Sequence, residues 1–136
     1  MQPNDITLAV NDDNDDGTTA LVNETFSRFA EFQNRSEYIH SDHTLAVRNK
    51  FGLYRTLPKA SGNFPGTSKT MVKFTQDFTV PGVDTTTSLI VPGLVTFETS
   101  FPVGLTPAQT KALRMRCAAM IIRDDIMIAL TDQLMV

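Results

Sequence analysis

Two short clusters of oxygen and nitrogen ligands are the first candidates for chemistry in this sequence. Residues 12–17 read Asp-Asp-Asn-Asp-Asp-Gly, the order that opens a calcium-binding loop, but Asn23 stands at the twelfth position in place of a bidentate glutamate. His40, Asp42 and His43 could ligate zinc, but no cysteine or other fourth ligand lies nearby in the sequence. The sequence therefore predicts a solvated hairpin turn and a polar turn at these places, and no metal site.

Signals for catalysis are equally weak. Residues 62–69 (Gly-Asn-Phe-Pro-Gly-Thr-Ser-Lys) have the composition of a phosphate-binding loop, but neither the spacing nor a strand–loop–helix order. Cys117, the single cysteine, falls on an apolar helix face, which favours a buried hydrophobe over a nucleophile. Neither histidine is placed beside a serine or cysteine by a known motif. We therefore predict no catalytic residue, no enzyme and no cofactor.

Basic side chains in the middle of the chain could bind phosphates. Residues 1–16 carry five acids and no base, although the whole chain has a net charge of only −3. The contrast between this acidic start and the basic segment at residues 41–80 favours a surface that binds a polyanion, with a solvated strand face as the alternative. Residues 41–80 carry two acids and these six bases: Arg48, Lys50, Arg55, Lys59, Lys69 and Lys73.

Strands must position these residues, because polar and apolar side chains alternate around them. The alternation predicts an N-terminal hairpin within residues 1–26 and an antiparallel sheet within residues 36–101. One face of that sheet is polar and the other is apolar, so the apolar face needs cover. The predicted strands are 6–10, 18–26, 37–40, 44–51, 69–75 and 95–101, with loops at 52–67 and, as a mobile connection, 83–91.

Two helices are predicted within residues 106–136. Thr106, Pro107 and Gln109 form a capping-box start, and the helix that follows is apolar over most of its circumference. Asp124 and Asp125 open a second helix, which we expect to continue to the last residue. The first helix needs burial on two sides. Packing of both helices against the sheet of a second copy would bury their apolar side chains most easily, which favours a homodimer.

Size and composition favour one globular domain. The chain has 136 residues, of which 41% are hydrophobic and 20% charged. No segment approaches the roughly 18 apolar residues of a membrane span, and the first residues lack the basic start of a secretory signal. We expect a soluble protein that is made in a cytoplasm and has no membrane partner.

In order and pattern, the sequence resembles the coat proteins of the single-stranded RNA bacteriophages, the leviviruses, over nearly its whole length. The resemblance implies an α+β fold: an N-terminal β-hairpin and antiparallel sheet followed by two C-terminal α-helices, in an interlocked homodimer. It also implies an icosahedral shell built from such dimers, found in the virion and assembled in the cytoplasm of a bacterial host. The matching segments are Ile6–Val10, Thr44–Arg48, Lys69–Lys73, Thr96–Pro102, Leu105–Thr106 and Leu113–Asp125.

The resemblance also implies that the sheet face away from the helices binds single-stranded genomic RNA. In the family, this interaction with an RNA hairpin represses replicase translation and marks the genome for packaging. Bases on this face would neutralise phosphates, and threonine hydroxyls would donate to phosphate or to base edges. Carried over to this chain, the RNA-binding residues are Thr44, Ala46, Arg48, Lys69, Met71, Lys73, Thr96 and Glu98.

The chain departs from the family pattern at two positions on this face. Leu94 stands where a stacking tyrosine is expected, and Met71 stands where a small hydroxyl residue would line a base pocket. An aromatic ring contributes roughly 1–3 kcal/mol per stacked base. The sequence therefore predicts non-specific packaging of RNA more strongly than tight recognition of one hairpin.

Two hypotheses follow from the sequence. The first is a self-assembling coat subunit that packages single-stranded RNA. The alternative is a small dimeric α+β ligand-binding domain or enzyme that uses the sheet face as a pocket. We favour the first, because a flat basic face suits an extended polyanion, whereas Thr44, Ala46 and Thr96 do not supply the convergent groups of a pocket.

Overall fold

In the part of the chain that the structure describes, six strands form one sheet in chain order, followed by two helices. The computed structural model describes residues 2–10 and 22–135. The predicted α+β fold, an antiparallel sheet followed by two C-terminal helices, is confirmed. The elements are β1 (Asp5–Val10), β2 (Val22–Phe32), β3 (Arg35–His40), β4 (Asn49–Thr56), β5 (Thr67–Pro81), β6 (Ser88–Pro102), α1 (Pro107–Ile121) and α2 (Asp124–Thr131).

The described residues fall into two compact units. The sheet unit comprises residues 2–8 and Glu24–Val103, and the second unit comprises residues 9–10 and 22–23 together with the helices from Gly104 onward. The acidic turn that the sequence predicts at residues 12–17 lies outside the described residues, as does the beginning of the strand predicted at residues 18–26.

Aromatic rings form the core of the sheet unit. Phe26, Tyr38 and Phe51 are buried, and the rings of Tyr38 and Phe51 stack with their centroids 5.0 Å apart. The hydroxyl of Tyr38 donates to the carbonyl oxygen of Pro3 over 2.8 Å, which ties the N-terminal segment to this core. Each such buried side chain contributes about 1.5–3 kcal/mol of hydrophobic stabilisation. Partly buried residues packed against the cluster are Ile6, Leu8, Leu53, Val72 and Phe74.

The strand predicted at residues 44–51 is displaced towards the C-terminus. The hydroxyl of Thr44 accepts a hydrogen bond from the amide of Val47 over 3.0 Å, and the Thr44 amide donates to the Val47 carbonyl over 2.9 Å. A threonine hydroxyl that satisfies backbone groups in this way competes with a strand ladder. Residues 44–48 therefore form a turn before β4, and residues 52–56, predicted as the start of a loop, belong to β4.

The connection between β5 and β6 is also shorter than predicted. Residues 88–91 belong to β6, so only Gly82–Thr87 connects the two strands. Asp84 organises this turn, because its carboxylate accepts from the amides of Thr86 and Thr87 and from the Thr87 hydroxyl over 3.0–3.1 Å. The predicted mobile connection is thus reduced to a short turn with internal hydrogen bonds.

The helices begin as predicted and end earlier. The side chain of Thr106 accepts from the Gln109 amide, and the Gln109 side chain accepts from the Thr106 amide, so the predicted capping box is confirmed. The second helix ends at Thr131 instead of continuing to the last residue, and Leu134 has a left-handed backbone with φ of 54°. Neither α1 nor α2 combines the length and apolarity that a membrane-spanning helix requires.

Candidate nucleic-acid interface

The predicted binding residues on β5 and β6 share one face of the sheet. Register pairs Met71 with Glu98 and Lys73 with Thr96, and strand alternation places Lys69 on the same side. Five of the eight residues predicted to bind RNA are therefore brought together. The residues of this face, which we call the polar face, are Arg35, Glu37, Lys50, Gly52, Tyr54, Thr56, Lys69, Met71, Lys73, Thr96, Glu98 and Ser100.

Thr44, Ala46 and Arg48 are not on a strand of the polar face, contrary to the predicted strand at residues 44–51. Thr44 forms a turn by hydrogen bonding to the backbone of Val47, as described above. Arg48 directs its guanidinium onto Asp77, with Nε 3.1 Å from Oδ2 and Nη2 3.1 Å from Oδ1. The hydrogen bonds from Arg48 lower the pKa of Asp77, so this carboxylate stays charged and holds the arginine. Arg48 is thus already engaged by an acid, unlike the lysines of β5.

The lysines of β5 are available for phosphate. Within residues 2–10 and 22–135, no carboxylate lies within ion-pair distance of Lys69 or Lys73, whereas Lys50 lies 4.0 Å from a carboxylate oxygen of Glu37. The polar face carries four cations (Arg35, Lys50, Lys69 and Lys73) and two carboxylates (Glu37 and Glu98). This excess of positive charge on one sheet face favours an extended anion.

Arg35 and Tyr54 are among the residues of the polar face that were not predicted to bind RNA. Arg35 belongs to β3, for which only residues 37–40 were predicted as extended. Tyr54 belongs to the part of β4 that was predicted as a loop, because Gly52 and the glycines and prolines after Leu57 indicated a break. The alternation of apolar Phe51 and Leu53 with polar neighbours was the signal that could have extended the strand.

A shallow depression of about 310 Å³ lies on the sheet around the C-terminal half of β4. Its lining includes Tyr54, Lys69, Met71, Glu98 and Ser100, which alternation assigns to the polar face. These residues can donate to phosphate, accept from an amino group and contact an apolar ring. The depression contains no histidine or cysteine, so its chemistry is that of binding.

The three candidate zinc ligands, at the end of β3 and in the connection to β4, are occupied by hydrogen bonds. His40 Nδ1 lies 2.7 Å from Asp42 Oδ1, which also accepts from the Asn49 side chain over 3.0 Å. His43 Nδ1 accepts from the Asn49 amide over 3.1 Å. Among the described residues, no group of three or more potential ligands is arranged to hold a metal ion.

Comparison with known proteins gives a fold but no sequence family. No protein-family model matches the sequence, and no curated protein matches it. The fold is similar to a chain of the virus-like particle of Beihai levi-like virus 32, with a TM-score of 0.72 and 24% identity over 83% of this chain and 88% of that chain. It is similarly close to the virus-like particle of bacteriophage AVE019, with a TM-score of 0.74 and 13% identity over 96% and 94% of the two chains.

The likeness extends over full chains. For the virus-like particle of bacteriophage ESE058, the alignment covers 100% of this chain and 99% of that chain, with a TM-score of 0.71 and 16% identity. Sheet and helices are therefore matched together, as the resemblance to levivirus coat proteins predicts. This chain has the fold of subunits found in levi-like virus-like particles.

Proposed function

We propose that this chain is a non-enzymatic coat protein that dimerises, assembles into a closed shell and packages single-stranded RNA in the virion. The observation that carries the proposal is the likeness, over nearly the full chain, to chains of bacteriophage and levi-like virus-like particles. Fold alone does not determine function, so the surfaces of this chain must also suit assembly and RNA. Three surfaces of the described residues support the proposal.

The first surface is the outer edge of β6. This strand is the last in the sheet order, and within the described residues it pairs with β5 alone. It is 15 residues long and exposes apolar side chains, including Leu94 at 55% and Val95 at 67%. A long exposed edge of this kind favours pairing with another strand. A second copy of β6 would pair with it and extend the sheet across a dimer.

The second surface is formed by the helices. Leu113, Met120 and Ile121 of α1 are each about half exposed, as is Ile128 of α2. Contiguous exposed apolar residues mark interaction sites in soluble proteins. A partner subunit that covers these residues would produce the interlocked dimer implied by the family resemblance, and further contacts between dimers would build the shell.

The third surface is the polar face. Among the described residues, Lys69 and Lys73 carry unpaired charge, and Arg35 and the Glu37-paired Lys50 are further cations of the same face. Contacts with phosphate are independent of base sequence, and they suit a protein that must hold a whole genome. Thr96 and Glu98 supply hydrogen-bonding groups beside these cations, through which base edges could also be contacted.

Electron microscopy of the protein purified from a bacterial overexpression tests the proposal. We expect closed particles of uniform diameter, with nucleic acid inside that ribonuclease degrades only after the shell is opened. Small dimers alone, at concentrations well above micromolar, would contradict the proposed shell. That result would favour the alternative of a dimeric binding domain, for which the depression near Tyr54 would be the site to screen.

A further inference from the structure

A row of aromatic and charged side chains crosses the polar face. Register aligns Phe32 of β2 with Arg35 of β3, Arg35 with Tyr54 of β4, and Tyr54 with Met71 of β5. The guanidinium carbon of Arg35 lies 4.2 Å from the centroid of the Phe32 ring, which is a cation–π contact. Cations interleaved with aromatic rings on a sheet are typical of surfaces that bind unpaired nucleotides.

Tyr54 occupies its place in this row because residue 52 is a glycine. A Cβ atom built on Gly52 would lie 2.5 Å from Cε2, 2.6 Å from Oη and 2.8 Å from Cζ of Tyr54. The ring therefore leans along β4 and covers Gly52, which is buried, while Tyr54 itself stays partly exposed. A side chain at position 52 would displace the ring from the strand.

Tyr54 is not part of the buried aromatic cluster of the sheet unit. Tyr38, the only other tyrosine of the chain, stacks on Phe51 and donates to Pro3. Within residues 2–10 and 22–135, the Tyr54 ring contacts no other aromatic ring, and its hydroxyl has no hydrogen-bond partner. The ring rests on the strand at Gly52 and the residue is partly exposed, so a ligand can reach it.

The surroundings of Tyr54 determine the class of ligand. On β5, Lys69 and Lys73 lie two residues to either side of Met71, the residue that register pairs with Tyr54, which places them about 7 Å along the strand in each direction. Glu98 and Ser100 border the depression beside the ring and can accept from, or donate to, the edge of a base. A planar group with an anion on each side is the chemistry of a nucleotide within a single strand.

We propose that the ring of Tyr54 is the stacking platform for an unpaired base of single-stranded RNA, with Lys69 and Lys73 binding the phosphates on either side. This inference rests on the proposed packaging of RNA and adds a base-binding site to it. Gly52 acts as a positioning residue, because its missing side chain lets the ring lie on the strand. Stacking does not depend on base identity, so the site suits RNA of any sequence.

Fluorescence can test the proposal, since the chain contains no tryptophan. The full-length protein is freed of RNA in high salt, its fold is checked by circular dichroism, and it is titrated with a 20-nucleotide oligoadenylate. In Tyr54→Trp, we expect the added indole to be quenched saturably by the RNA. We expect Tyr54→Ala to weaken binding about tenfold with an unchanged salt dependence, and Tyr54→Phe to keep the affinity of the original protein.

Phe64→Ala serves as the matched control, since Phe64 is an aromatic residue that is half exposed in the loop between β4 and β5. Its removal is expected to leave affinity unchanged. If the Tyr54→Ala variant binds RNA in a salt-dependent way with unchanged affinity, the proposed stacking role of Tyr54 is wrong, but the proposed packaging of RNA is not contradicted. Equal losses in Tyr54→Phe and Tyr54→Ala would also overturn the stacking role, because the hydroxyl would then be responsible. Absence of any RNA binding by the original protein would instead contradict the proposed function itself.

Discussion

Arg48 and Asp77 are joined by four hydrogen bonds that run in both directions. The Arg48 amide, Nε and Nη2 donate to the Asp77 carboxylate over 2.8–3.1 Å, and the Asp77 amide donates to the Arg48 carbonyl over 2.8 Å. The Asp77 side chain is only 6% exposed, whereas that of Arg48 is 44% exposed. The pair therefore anchors the turn at residues 44–48 to β5, and it removes Arg48 from the cations that are available to RNA.

We expect the stability of the folded protein to fall at acid pH, in part through this pair. Arg48 lowers the pKa of Asp77 below its ordinary value of 3.8. A lowered folded-state pKa gives stabilisation that is complete above the unfolded-state value and is lost as pH falls through the folded-state value. Thermal unfolding should therefore show a nearly constant midpoint from pH 7 to 5 and a decreasing midpoint below about pH 4.

The contribution of Asp77 to this decrease can be isolated by substitution. Asp77→Asn should lower the unfolding midpoint at pH 7 and flatten its dependence on pH below 4. Asp5→Asn is the control, since it removes one carboxylate from the exposed start of β1. If Asp77→Asn unfolds at the same midpoint as the original protein at pH 7, the anchoring role of the pair is wrong.

The predictions from sequence succeeded where side-chain pattern and backbone agree. Alternating side chains along β5 and β6, together with a capping box at Thr106, determine the sheet and the first helix through local interactions. The strand at residues 44–51 was predicted wrongly, since its alternation is real but the Thr44 hydroxyl closes a turn onto Val47. A side chain that bonds the backbone is not visible in a pattern of apolar residues.

At the candidate site, too, the predictions that rest on local side-chain pattern were correct, and the contacts between distant residues were not predicted. Lys69, Met71, Lys73, Thr96 and Glu98 were placed together correctly, because they alternate along two adjacent paired strands. Arg48 could not be assigned to Asp77 from the sequence, since 29 residues separate them and the contact depends on the sheet register. Tyr54 was missed because Gly52 was interpreted as a loop residue, although the glycine is what allows the ring to lie on the strand.

Removal of the two free lysines should reduce RNA packaging. For Lys69→Ala combined with Lys73→Ala, we expect particles with less RNA per subunit, measured by absorbance at 260 and 280 nm. Loss of two phosphate contacts should also reduce the slope of log affinity against log salt by about 1.4 for a single strand. The control combines Lys59→Ala with Lys111→Ala, which removes the same charge from a loop and from α1. Unchanged RNA content in the first double variant would contradict the assignment of the polar face.

Assembly should depend on the exposed apolar side chains of α1. Leu113 is 50% exposed, so Leu113→Asp leaves the buried aromatic cluster intact but places a charge on the surface expected to meet a partner. We expect folded protein of lower mass without shells, measured by size-exclusion chromatography with light scattering. Ala118→Asp adds the same charge on the side of the helix that carries Lys111 and Arg114, and it should still assemble. Assembly of both variants would contradict a role of this helix in subunit contacts.

Alanine substitutions at two glycines with similar φ angles should distinguish the cost of backbone strain from the cost of a steric clash. Gly66 has φ of 100° and Gly104 has φ of 113°, both in a region that side chains rarely adopt. A Cβ on Gly66 would lie 2.7 Å from the backbone nitrogen and oxygen of Lys59, whereas a Cβ on Gly104 would meet no atom within 4 Å. Gly104→Ala should therefore cost about 1–3 kcal/mol through strain alone. Gly66→Ala should cost more, because the chain at Lys59 must also move, and urea unfolding of both variants measures the difference. Equal costs would mean that the segment at Lys59 yields freely to an added methyl group.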